Sequence, residues 1–169
     1  MPVLNPDHLL DQADRLIAPP GRGAPRQADL RRAISAAYYG VFHALVTDAA
    51  DEFMGRTQRQ TPSYGLVYRS VDHRSLVRLC EDVTKTTLPQ KYSTYMPPGG
   101  FGPDLKALAE AVIDLQEKRV LADYDPLFRV GISDAALAVA TGRTALVRFR
   151  NAPNEPKKVF LSLLAFSPR

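Results

Sequence analysis

From Asp29 the chain reads DLRRAISAAYYGVFHALVTDAA, in which Leu30, Ile34, Ala37, Tyr38, Val41, Phe42, Leu45 and Ala49 recur at intervals of three and four residues. That period predicts a helix of about six turns from Asp29 to Ala49 with a broad apolar stripe. Such a stripe is stable only when other elements cover it, because helices in proteins owe most of their stability to the packing of one face. Gly40 within the stripe predicts the close approach of another helix.

The remaining elements are helical as well. Asp7 to Ile17 places Leu9, Leu10, Ala13 and Leu16 at helical spacing, and Pro19, Pro20 and Gly21 end it, with residues 18–27 as a linker. Residues 53–70 carry Gly55, Pro62 and Gly65 without a sustained period and are expected to form a loop with at most one helical turn. A helix follows from about Val71 to Thr84, with Asp72 in its acidic first turn. Residues 85–103 form a long Pro/Gly-rich loop, either a stacking surface built on Tyr92, Tyr95, Lys85 and Lys91 or a loose insertion. Asp104 to Leu121 is a second strongly periodic helix, and ADYDP after it reads as extended. Ser133 then caps a helix reaching to about Phe149, with Ile132 placed to staple onto Leu137. Asn154 and Pro156 open a final helix. No segment alternates with period two, so the expected fold is all-α, and no internal repeat points to a solenoid.

The 169 residues are enough for one domain with a continuous core, and 45% apolar with 24% charged residues is globular composition. Cys80 is the single cysteine, which excludes an internal disulfide and a cysteine zinc cluster. No run approaches a membrane span, and the first residues lack a basic region followed by an apolar stretch, so a cytoplasmic location is expected with no membrane association. The net charge is only +4, but Arg56, Arg59, Arg69, Arg74 and Arg78 stand against Asp72 alone in residues 56–79, and the C-terminal region is also basic. That asymmetry fits either a polyanion such as RNA or a nucleotide, or a solvated basic face.

Taken as residues, LRRAISAAYYGVFHAL from Leu30 to Leu45 resembles the signature helix of HEPN domains. The resemblance rests on Arg31 and Arg32, Ser35, Ala37 to Tyr39, and Phe42, His43 and Ala44. The segment from Leu115 through Arg119, Ala122, Asp123, Tyr124 and Asp125 is similar to the Arg and Ala-Asp-Tyr-Asp ending of the next major helix in bacterial members. The matched part is 29–149; the 85–103 loop and residues 150–169, a C-terminal helical extension, lie outside it. The resemblance implies a single HEPN-like domain over 1–169: an antiparallel up-and-down bundle of about five to six helices that pairs as a homodimer. Many members are metal-independent endoribonucleases that act alone, as toxins beside a nucleotidyltransferase-like antitoxin partner, or within defence systems; others are non-catalytic and bind RNA, nucleotide or a protein partner.

The catalytic pattern of active members is an Arg, four to six intervening residues and a His, two copies forming one composite site. The nearest candidate here, Arg69 and His73, has three intervening residues. If both are helical, i and i+4 share a face and the pair converges on one phosphate; if the helix begins at Val71, Arg69 sits on the loop and reaches further. Metal-free RNA cleavage needs a base for the 2'-OH proton, an acid for the leaving 5'-oxygen and positive charge for the phosphorane. Histidine titrates near neutral pH and serves as either acid or base, while arginine holds phosphate without deprotonating. Asp72 beside His73 also allows a merely structural pair. Arg31, Arg32, Arg74 and Arg78 are the candidate RNA or nucleotide contacts. Tyr39 and His43 read as buried polar contacts that fix helix packing rather than as ligands. Asp123 and Asp125 lack further acidic or His partners at ligand spacing and suit pairing with Arg31 or Arg32; no metal or cofactor is implied.

Overall fold

The structure, a computed structural model, describes residues 4–18, 21, 23–96 and 98–168, so Pro19, Pro20 and Pro97 lie outside the described residues. Among these it forms seven α-helices and no strand: α1 (Pro6–Ile17), α2 (Gln27–Met54), α3 (Pro62–Ser70), α4 (His73–Thr84), α5 (Gly102–Tyr124), α6 (Ile132–Asn151) and α7 (Asn154–Ala165). The fold is an all-α antiparallel bundle, and its directions follow from the cross-helix bonds. Arg31 at the start of α2 reaches the carbonyls of Ala122 and Asp125 at the end of α5, and Tyr39 meets Arg119, so α2 and α5 run antiparallel. Gln27 exchanges two hydrogen bonds with Val130, and Gly142 comes up against Ala37 and Val41, so α6 runs parallel to α2. Arg143 pairs with Asp11 and Asp14, and Arg150 with Asp7, which sets α1 antiparallel to α6.

The long helix is more than a striped one. Every residue from Ala33 to Tyr38 is buried, because α1, α3, α5, α6 and α7 all pack on α2 and leave little of it to solvent. It is the central helix of the bundle. Gly40 makes the close approach its position predicts: a Cβ there would lie 3.0 Å from Cγ of Leu10 on α1.

Four local expectations change. Residues 53–70 hold a 3-10 turn at Arg56–Gln58 and then α3, which starts because the Thr61 hydroxyl accepts from the Tyr64 N–H at 3.2 Å and Pro62 fills its first position. Only Tyr64 of α3 is buried, its hydroxyl donating to the Thr47 carbonyl and to Asp51, so the segment shows no apolar period. The loop before α5 is fastened rather than loose: the 3-10 turn Gln90–Tyr92 buries Tyr92, whose hydroxyl donates to Asp82 at 2.8 Å, and Lys85 and Lys91 pair with the same carboxylate. Tyr92 is therefore not available as a stacking surface. Helix α5 continues through Tyr124, so Ala122 to Tyr124 are helical, not extended. Ile132 is the first residue of α6 and, like Leu137, is exposed, so no staple forms between them; Asp134 instead accepts from the Gly131 N–H. No helix among the described residues is long and apolar enough to cross a membrane.

Candidate active site

Tyr38 and Phe42, and Tyr39 and His43, lie four residues apart on α2, so their rings gather on the side of the helix that meets α3, the start of α4 and α5. His73 enters this aromatic group because the chain breaks between α3 and α4. Buried Val71 fixes the break, and the Asp72 carboxylate caps α4 by accepting from the Ser75 N–H at 2.7 Å, which makes His73 the first helical residue. Its ring lies 4.1 Å from Phe42 and 5.8 Å from Tyr39 between centroids, and its Nδ1 bonds the Tyr38 hydroxyl at 2.8 Å.

A second imidazole sits in the same group. His43 Nδ1 bonds the Tyr68 hydroxyl of α3 at 2.6 Å, the two rings nearly parallel, and its ring packs 5.3 Å from Phe42. In both histidines Nε2 has no hydrogen-bond partner among the described residues and is not closed off from solvent. Arg119 of α5 forms the rear wall. Its guanidinium lies over the rings of Tyr39, Tyr124 and Tyr38 at 5.2, 5.7 and 5.8 Å, donates to the Tyr39 hydroxyl, and its Nε stands 2.8 Å from Asp123 as an ion pair off the line of a hydrogen bond. Asp123 also accepts from the Ser35 hydroxyl.

The electrostatics favour neutral imidazoles. Burial lowers the pKa of His43 from its ordinary value. Burial also lowers that of His73, reinforced by the charges of Arg119 and His43 and opposed by Asp72. Burial raises the Tyr38 hydroxyl well above the usual phenol range, so it stays protonated beside His73. A neutral His73 whose Nδ1–H donates to Tyr38 presents an unprotonated Nε2, which is a general base; the other tautomer presents Nε2–H.

The arginines sort into two kinds. Arg31 is committed to the fold, its Nε and Nη2 each donating at 2.7 Å to the carbonyls of Ala122 and Asp125 and so tying down the end of α5. The pairing of Arg31 or Arg32 with an Asp carboxylate does not form: Asp123 belongs to Arg119 and Ser35, and Asp125 accepts from the Leu127 N–H of its own turn. Arg32, Arg69, Arg74 and Arg78 are exposed and make no ion pair among the described residues. Arg69 and His73 are not brought together as a pair on one helix. Arg69 occupies the last turn of α3, its guanidinium lying back along that helix toward Gly65, while His73 begins α4. Arg74 and Arg78 share one exposed face of α4 with four-residue spacing, next to His73.

Sequence reasoning passed over Arg119 and Tyr68 as site residues and assigned His43 to packing. Signals for two of them were present: Tyr39 and His43 lie four apart on α2, and Arg119 and Asp123 four apart on α5, as a facing pair of helical strips would require. Tyr68 carried none, since it depends on α3 forming. Cys80 is buried, which raises its thiol pKa and excludes a ready thiolate. Among the described residues no group of three or more His, Cys, Asp or Glu side chains is placed to hold a metal ion. Comparison with protein families, curated proteins and solved structures finds no match to the chain.

Proposed function

We propose that the chain is an HEPN-type endoribonuclease that cleaves RNA without a metal ion, acting as a homodimer in a toxin-antitoxin or defence setting. The observation that carries the reading is His73: a partly buried imidazole held toward its neutral form, oriented by Tyr38 through Nδ1, with Nε2 unbonded at the edge of an aromatic cluster. In this reading His73 takes the 2'-OH proton. Phosphate is held by exposed Arg74 and Arg78, four residues apart on α4 next to His73, with exposed Arg69 on α3 as a further cation. Tyr124, 71% exposed, offers the ring face away from Arg119 for a base to stack on. Exposed Val120, Leu121, Tyr124 and Leu127 at the end of α5 form apolar surface that suits a second copy of the chain.

The displacement of Arg69 from His73 favours a second reading, a non-catalytic HEPN module that binds RNA, a nucleotide or a nucleotidyltransferase-like protein through the same exposed arginines. Incubation of RNA with the protein in EDTA separates the two. Cleavage by the wild type that is lost in His73→Ala supports the nuclease; intact RNA with both proteins, together with retained binding, supports the module.

A further inference from the structure

His43 is the second imidazole of the aromatic cluster, and the proposed reaction leaves it idle. Its geometry repeats that of His73. Each imidazole packs on the same Phe42 ring, at 5.3 and 4.1 Å between centroids, and each flanks Tyr39, at 6.2 and 5.8 Å. Each gives Nδ1 to a tyrosine hydroxyl and leaves Nε2 unbonded. A histidine that serves only to join helices gains most by bonding both nitrogens, since a half-satisfied imidazole in a partly buried site forfeits a hydrogen bond. Two imidazoles around one phenyl ring, each oriented by a phenol and each with an open Nε2, suit a displacement at phosphorus, where base and acid act on opposite sides of the reacting atom.

We propose that His43 is a second catalytic residue of the same chain, protonating the leaving 5'-oxygen while His73 deprotonates the 2'-OH, so that one chain holds both proton-transfer groups. The proposal rests on the RNA-cleavage reading above. The step balances as follows. His73 Nε2 takes the proton of the 2'-OH; O2' forms a bond to phosphorus; the bond from phosphorus to O5' breaks; and His43, in the fraction of molecules that has taken up a proton from water at Nε2, gives that proton to O5'. The products are a 2',3'-cyclic phosphate and a 5'-hydroxyl, and exchange with water restores both histidines. The assignment of roles follows from their neighbours. Arg119, whose guanidinium lies over the Tyr38 ring that His73 packs on and bonds, places a positive charge on the His73 side of the group and disfavours an imidazolium there, whereas His43 packs on Phe42 and Tyr39 and bonds Tyr68 of α3.

The test compares two substrates in EDTA: a ribodinucleotide, whose 5'-oxygen must be protonated to leave, and uridine 3'-(p-nitrophenyl phosphate), whose leaving group departs without a proton. His43→Asn keeps an amide within reach of the Tyr68 hydroxyl while removing Nε2 and the ring carbons beside it. The expected result is that His43→Asn slows the dinucleotide by about 10²- to 10⁴-fold, the usual worth of general acid catalysis, and changes the activated ester by only a few-fold. His73→Asn slows both. Equal losses on the two substrates in His43→Asn, or no loss on either, overturn the role of His43 while leaving cleavage by His73 standing. A wild type inert toward both substrates overturns the cleavage reading and this proposal with it. Should thermal unfolding show His43→Asn to be unfolded, Tyr68→Phe takes its place: a selective loss on the dinucleotide supports the proposal, and an equal or absent loss refutes it.

Discussion

The close contact of Gly40 on α2 with Leu10 on α1 yields a stability prediction whose sign opposes that of helix propensity. Alanine is favoured over glycine inside a helix by about 1 kcal/mol, so Gly40→Ala in the middle of α2 would stabilise the protein if nothing stood against it. Leu10 of α1 does. The new Cβ would meet Leu10 Cγ at 3.0 Å and Cδ2 at 3.2 Å, with the Pro6 carbonyl oxygen behind at 3.4 Å. The nearest atom is the branch point of a side chain only 1% exposed, and Leu10 cannot retreat because Gly142 of α6 confines its other side, a Cβ there lying 3.3 Å from Cδ2. Overpacking of this kind costs about 1 to 3 kcal/mol, so the net change should be a destabilisation of about 1 kcal/mol. Leu10→Ala should cost about 2 to 5 kcal/mol through the cavity it leaves. In the double variant the clash is gone and the added methyl enters that cavity, so the combined loss should fall short of the sum by about 1 kcal/mol or more. Urea unfolding followed by circular dichroism measures all four proteins. A Gly40→Ala protein more stable than wild type, or a cycle additive within about 0.5 kcal/mol, would refute the packing of α1 between α2 and α6.

Three further outcomes follow. Asp82 is pushed up by burial, but its bonds from Lys85, Tyr92 and Lys91 outweigh that and bring its pKa to about 2. Its folded value thus lies below its unfolded value, and the stability it contributes, roughly 2 kcal/mol, is present above pH ~4 and lost as pH falls toward about 2; Asp82→Asn should remove that dependence and speed hydrogen exchange in residues 85–96. Arg31→Ala should cost about 3 kcal/mol, the lower end for two hydrogen bonds from a charged group at about 1.5 to 3 kcal/mol net each, and exchange should accelerate at residues 119–125; Arg31→Lys should rescue little, because an ammonium cannot span both carbonyls. By NMR, His43 and His73 should both titrate below about 6.5, so their effect on stability is a loss as pH falls through 6.5, where the unfolded chain takes up protons first. Arg119→Gln should move the His73 midpoint upward and shift His43 less; an unmoved His73 would contradict the wall formed by Arg119.

Much of the bundle is legible in the sequence because burial there is one-sided or continuous over many turns. The apolar positions of α2 and α5 declare both helices, and Gly40 declares a close neighbour. What escapes depends on single tertiary anchors. Helix α3 buries only Tyr64 and is held by a capping threonine, so its period is empty. The 85–103 segment is fixed by one buried carboxylate, Asp82, and by Tyr92 ten residues away, which no local pattern reveals. The ends of α4 and α5 differ from expectation by a few residues because caps and cross-helix bonds, those of Asp72 and Arg31, set them. At the site, His73 is legible as a histidine at a helix start, but its partner is not the arginine four residues earlier. The break at Val71 and Asp72 leaves Arg69 on α3, and the residues that meet His73, Tyr38 and Phe42, lie some thirty positions upstream. Cys80, prominent in composition as the sole cysteine, is core.

The central claim is chemical, that the imidazoles of this cluster drive attack by a ribose 2'-hydroxyl without metal. Its most direct measurement is single-turnover cleavage in EDTA of a short oligoribonucleotide beside the same strand carrying a 2'-deoxy sugar at the cut position, with the product ends identified by mass spectrometry. The account predicts cleavage of the ribo strand to a 2',3'-cyclic phosphate and a 5'-hydroxyl, and an intact deoxy strand. Cleavage of both strands, a requirement for added divalent metal, or no cleavage of either would contradict it.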